Sequence, residues 1–149
     1  MTTPLLAVRG VSTFYGKIQA LRNVDMDVAD GEIVTLIGAN GAGKLTLMMT
    51  IFGNPRAREG SIVFDGRDIT RLPTHERALG GIGYAPEDAG IFPDLTVAEN
   101  FQISQSLAAG NRGMGAGIDP RVFELFPEVR DFIGRRGLFL SGGQRRWSP

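Results

Sequence analysis

Three glycines and a lysine fall within seven residues, in the run Gly38-Ala39-Asn40-Gly41-Ala42-Gly43-Lys44. Glycines at this spacing let a backbone curl tightly and aim successive N–H groups at one point. Lys44 adds a full positive charge to the same place. Donors and a cation that converge in this way suit the oxygens of a phosphate chain, and G-x-x-x-x-G-K is the pattern of a phosphate-binding loop. The chemistry expected here is the binding of a nucleoside polyphosphate. The plainer alternative is a glycine-rich connection between a strand and a helix, with a lysine there by chance.

The elements around the run argue for the loop. Glu32-Ile33-Val34-Thr35-Leu36-Ile37 is an apolar, β-branched run that predicts a strand, and Leu45 onward predicts a helix ended by Gly53-Asn54-Pro55. The helix start would add its own partial positive charge at the phosphates. One residue departs from the pattern. A Ser or Thr hydroxyl is needed directly after the lysine to hold Mg²⁺ between the β- and γ-phosphates, and this chain has Leu45. Thr46 carries a hydroxyl, but one step along a helix turns it about 100° away. Either the metal is lost, or Thr46 or a water stands in for the missing oxygen.

The rest of the chain positions this loop. With 149 residues there is enough chain for one domain and a sizeable core. The 16 basic and 16 acidic residues balance, so no overall field points to nucleic acid. The absence of cysteine excludes disulfides, zinc–thiolate sites and thiol catalysis. His75, the single histidine, sits at an expected helix start and reads as a surface residue. The first six residues lack the features of a secretory signal, and the apolar run at 45–52 is too short to span a bilayer. A cytoplasmic protein without direct membrane insertion is expected, any membrane association coming through a partner.

Strands are predicted over 5–11 and 24–28, with a hairpin turning on Asp65-Gly66 between 61–64 and 67–69. A short helix over 73–79 and a strand over 82–85 follow. From residue 88 the texture becomes helical. Thr96-Val97-Ala98-Glu99 is a capping box that opens a helix to about residue 109. Residues 110–117 hold four glycines and read as a spacer, and Pro120 suits the first position of another short helix. The organisation expected is a β-rich nucleotide-binding part over 1–87 and a helical subdomain over 88–149, with no internal repeat.

Leu140-Ser141-Gly142-Gly143-Gln144 lies about a hundred residues beyond the loop, with the capped helical segment between them. With both motifs the chain resembles the ATP-binding subunits of ABC transporters over essentially its whole length. Within that family LIGANGAGK, SIVFDGRDIT and the stretch from Tyr84-Ala85-Pro86-Glu87 to IFPDLTVAEN are similar to the branched-chain amino-acid importer branch. The resemblance implies an α/β fold, an incomplete P-loop NTPase domain, and ATP as ligand with Mg²⁺ expected for the family. It also implies transmembrane permease subunits and a second ATP-binding subunit, arranged head to tail, as partners. Location would be peripheral, on the inner face of the cell membrane. It gives Tyr15 the place of the aromatic that stacks on adenine. Gly38, Asn40, Gly41, Ala42, Gly43, Lys44, Leu45 and Thr46 take the places that wrap the phosphates. Glu87 matches the position that senses the metal and the permease, where the family usually has glutamine. Ser141, Gly142, Gly143 and Gln144 match the signature that closes on ATP held by the opposite subunit.

The family pattern continues past the signature with a Walker B strand, a catalytic glutamate, a D-loop and a switch histidine. Here Arg145-Arg146-Trp147-Ser148-Pro149 ends the sequence, which suggests a truncated or frameshifted reading frame. No catalytic residue is therefore assigned, and impaired hydrolysis is expected. Three functions follow: an ATPase subunit of an importer, a nucleotide-binding module without turnover, or a poorly folding product. A kinase on the same loop is disfavoured because LSGGQ has no role in one. The strand over 33–37 would normally lie mid-sheet, and its neighbours in the family come after the signature, so its edges are expected to be unpaired.

Overall fold

The computed structural model describes residues 3–86, 90–108 and 118–140. The chain divides into two compact units, 1–82 and 83–149.

The first unit is built on a four-stranded antiparallel sheet in the order β2-β1-β3-β4. Its strands are β1 (Leu6–Tyr15), β2 (Ile18–Val28), β3 (Glu59–Phe64) and β4 (Arg67–Asp68). β1 and β2 form a long hairpin that turns at Gly16, which holds a φ of 61°. The sequence predicts only the outer parts of this hairpin. Its inner part is held by polar pairs far apart in sequence: Asn23 N–H donates to Ser12 Oγ at 3.1 Å, and Thr50 Oγ1 donates to Thr13 Oγ1 at 3.2 Å. Where β1 meets β3 the register shifts, and a Cβ on Gly60 would lie 2.4 Å from the Arg9 carbonyl oxygen. Only glycine fits that approach.

Across the sheet lies α1 (Lys44–Phe52), followed after β4 by α2 (Thr74–Leu79). Val8, Val11, Leu21, Leu47, Ala57, Ile62 and Ile69 form the buried core between them. α1 ends where the glycine signal places it. Gly53 adopts a φ of 104° and its N–H bonds back to the carbonyls of Met49 and Thr50.

Two expected strands are absent. Residues 32–37 and 82–85 join no ladder. Among the described residues no hydrogen bond reaches the backbone of residues 33–37, and Ile33 and Ile37 are 94% and 92% exposed. The physical reason is that a strand needs neighbours. The four strands present pair with one another, and none of them flanks this segment.

The second unit is helical: α3 (Val97–Ala108), α4 (Pro120–Leu125), α5 (Val129–Phe132) and a 3₁₀ turn at Gly137–Phe139. The capping box forms as predicted. Thr96 N–H and Oγ–H both donate to Glu99 Oε2 at 2.7 Å, and Glu99 N–H returns a bond to Thr96 Oγ1 at 3.2 Å. Asp119 caps α4 and Pro120 occupies its first turn. Val97, Phe101, Val129, Phe132 and Leu140 make the core. The side chain of Asn100, 3% exposed, accepts from Phe92 N–H at 2.7 Å and donates to the carbonyls of Phe92 and Thr96.

Candidate functional site

The loop between residue 37 and α1 is exposed, and it is held in shape from inside. Lys44 Nζ donates to the carbonyl of Gly38 and to that of Ala39, the latter at 2.8 Å, while Ala42 N–H donates to Ala39 at 3.2 Å. Gly41 and Gly43 sit at φ of 83° and 90°, a region costly for any side chain. Gly43 also packs against β2, where a Cβ would meet Leu21 Cδ2 at 3.0 Å. It is the N-cap of α1 and carries no side-chain cap, and the first turn of the helix has no acidic residue. Among the described residues nothing accepts from the N–H groups of Gly43, Lys44, Leu45 or Thr46. Unpaired donors at a helix start, beside an ammonium group, fit an anion.

The other sequence-derived candidates are placed unevenly. Tyr15 stands at the tip of the β1–β2 hairpin, opposite Ile18 and 49% exposed. This is the hairpin that Gly43 packs against. Gly38, Asn40 and Ala42 are exposed along the loop, and Thr46 is half-buried. Leu45 is 58% exposed, and its side chain helps line an apolar groove of about 560 Å³ with Met26, Val28, Val34, Leu36, Met48 and Ile51. Glu87, Ser141, Gly142, Gly143 and Gln144 lie outside the described residues. Leu140, the residue before Ser141, is buried in the core of the helical unit.

No group of three or more potential metal-binding His, Cys, Asp or Glu residues occurs among the described residues. Asp68, an acidic residue of the first unit, is already engaged. Its Oδ1 accepts from Thr70 N–H at 2.8 Å, and hydrogen bonding by Thr70 holds the carboxyl below its ordinary pKa. The loop thus fits the phosphates of a nucleotide, while Leu45 does not fit a metal ligand.

Sequence reasoning missed Arg77. An arginine in a two-turn helix reads as a surface residue, yet this one is 1% exposed and donates to four backbone carbonyls. No neighbouring residue in the sequence signals this; the residue packed on the guanidinium is Gly53, the stop of α1.

The ABC transporter family pattern matches residues 21–147. The chain belongs to that family. It is 42% identical over 142 residues to the high-affinity branched-chain amino acid transport ATP-binding protein BraG of Pseudomonas aeruginosa, covering 95% of this chain and 60% of that protein. It is 39% identical over 147 residues to the lipopolysaccharide export system ATP-binding protein LptB of Haemophilus influenzae, with coverage of 95% and 59%. A solved ATP-binding cassette, a dimer in a post-hydrolysis state with ADP and Pi, superposes with a TM-score of 0.78 at 24% identity, over 96% of this chain and 66% of that one. The fold is therefore that of an ABC ATPase cassette. The chain spans about 60% of the length of the curated relatives it matches. Among the described residues no helix is long and apolar enough to cross a membrane.

Proposed function

We propose that this chain is the nucleotide-binding part of an ATP-binding subunit of an ABC importer for branched-chain amino acids. The observation that carries it is the loop: Lys44 and the unpaired N–H groups of residues 43–46 converge at an exposed, uncapped helix start. ATP would lie with its phosphates on Gly41, Gly43, Lys44 and Thr46 and its adenine against Tyr15. Ser141, Gly142 and Gly143 would face the nucleotide of a second subunit, and the pair would dock on transmembrane permease subunits at the inner face of the membrane. Glu87 would lie where the permease is sensed. The likeness to BraG supports the branched-chain amino acids as cargo, whereas LptB serves lipopolysaccharide export.

Leu45 favours one refinement. With no oxygen at the metal position, the hold on the phosphates rests on Lys44 and the backbone N–H groups. Because hydrolysis is expected to be impaired, the cargo assignment is tested by binding: co-expressed with the permease subunits of a branched-chain amino-acid importer, the chain should co-purify with them. Retention instead by the membrane subunits of a lipopolysaccharide exporter, or by neither, would refute the cargo assignment.

A further inference from the structure

Arg77 is buried without an ion-pair partner among the described residues, an arrangement that is costly unless something holds the charge. Here backbone carbonyls do. Nε donates to Leu72 at 3.0 Å, one terminal nitrogen donates to Thr50 at 3.0 Å and Ile51 at 2.7 Å, and the other donates to Thr70 at 3.0 Å. Two of these acceptors belong to the last turn of α1, whose carbonyls form the negative end of the helix dipole. The other two lie in the segment between β4 and α2. A planar fork of five donors can join these elements at once, which a single ammonium cannot.

The same helix end is fixed twice more. Thr50 bonds to Thr13 of β1, and Gly53 lies so close that a Cβ would sit 2.9 Å from Arg77 Nε. At the other end of α1, about 13 Å away for nine residues, Gly43 packs on Leu21 and the loop begins. A rigid helix held at its C-terminus carries that placement to its N-terminus. We infer that Arg77 is a positioning residue for the phosphate loop, setting the axial register of α1 so that Lys44 and the N–H groups of residues 43–46 meet one phosphate group. This inference rests on the nucleotide reading above.

The test compares ATP affinity of the full chain with that of Arg77→Met, which keeps volume and removes the donors, and of Arg77→Lys. Gly53→Ala pushes on the guanidinium without altering it. Ile62→Val, in the sheet core, serves as a destabilised control. All are measured at a temperature where circular dichroism shows the wild-type fold. Arg77→Met and Gly53→Ala should weaken ATP binding by about fivefold or more, the scale of a coupling between distant groups. Arg77→Lys should fall between, and Ile62→Val should bind as wild type. A folded Arg77→Met with wild-type affinity would overturn the inference and leave Arg77 as a stabilising residue only. Should Arg77→Met not fold, the wild-type protein still decides: saturating ATP should shift the Arg77 Nε–H resonance, and an unmoved resonance overturns the inference. Failure of the nucleotide reading looks different, because the wild-type chain itself would then not bind ATP, and both would fall.

Discussion

Leu45 is the residue whose side chain changes what the loop can do. It follows Lys44, where a metal-holding hydroxyl would be needed, and it lines an apolar groove together with Met48 and Val34. Affinity for ATP should therefore be the same in excess Mg²⁺ and in EDTA. Leu45→Ser should create a difference, with Mg²⁺ tightening binding only in the variant. Equilibrium titration of both proteins in both buffers checks this, and a large Mg²⁺ effect in the wild type would contradict it. The departure at Leu45 was legible from sequence because the loop pattern fixes the chemistry of each position. Arg77 was not, because two of the four carbonyls that surround it, those of Thr50 and Ile51, belong to a helix far back in the chain.

At the scale of elements, what could be read was what is encoded locally. The Thr96–Glu99 capping box and the Gly53 stop sit beside the helices they bound, and both form. The bonds from Thr96 hold the Glu99 carboxyl below its ordinary value of 4.5. A carboxyl whose folded pKa is depressed adds stability above its unfolded pKa and loses it as the pH falls through the folded value. The start of α3 should therefore weaken on acidification below about pH 4.5. Melting temperatures followed against pH should fall less steeply there for Glu99→Gln than for the wild type, and parallel curves would count against the box. Within the same unit, Asn100→Ala would remove a buried amide that accepts from Phe92 N–H and donates to the carbonyls of Phe92 and Thr96. The expected loss is about 1–3 kcal/mol in urea unfolding, and an unchanged midpoint would contradict the role given to this side chain. Elements that depend on distant partners were harder to read. β2 runs from Ile18 rather than from Val24 because β1 lies beside it, and residues 33–37 are apolar enough for a strand yet have no strand beside them.

For the whole molecule that missing partnership dominates behaviour. Ile33 and Ile37 stand almost fully exposed, next to an apolar groove lined by Met26, Val34, Leu45 and Met48. Backbone groups left open on an apolar segment recruit other chains. The purified 149-residue chain should self-associate as concentration rises, and amides 33–37 should exchange rapidly in the monomer. Ile33→Lys should raise solubility without changing the circular dichroism spectrum. Strong protection of residues 33–37 in a monomer would show that this segment has a partner after all.

The central claim, that the loop binds a nucleoside polyphosphate through Lys44 and its neighbouring N–H groups, is tested most directly by calorimetric titration of ATP into the folded chain and into Lys44→Ala. The wild type should bind one ATP saturably, and Lys44→Ala should show no saturable binding while keeping the wild-type circular dichroism spectrum. A folded wild-type chain that binds no ATP, or a Lys44→Ala variant that binds it equally well, would contradict the claim.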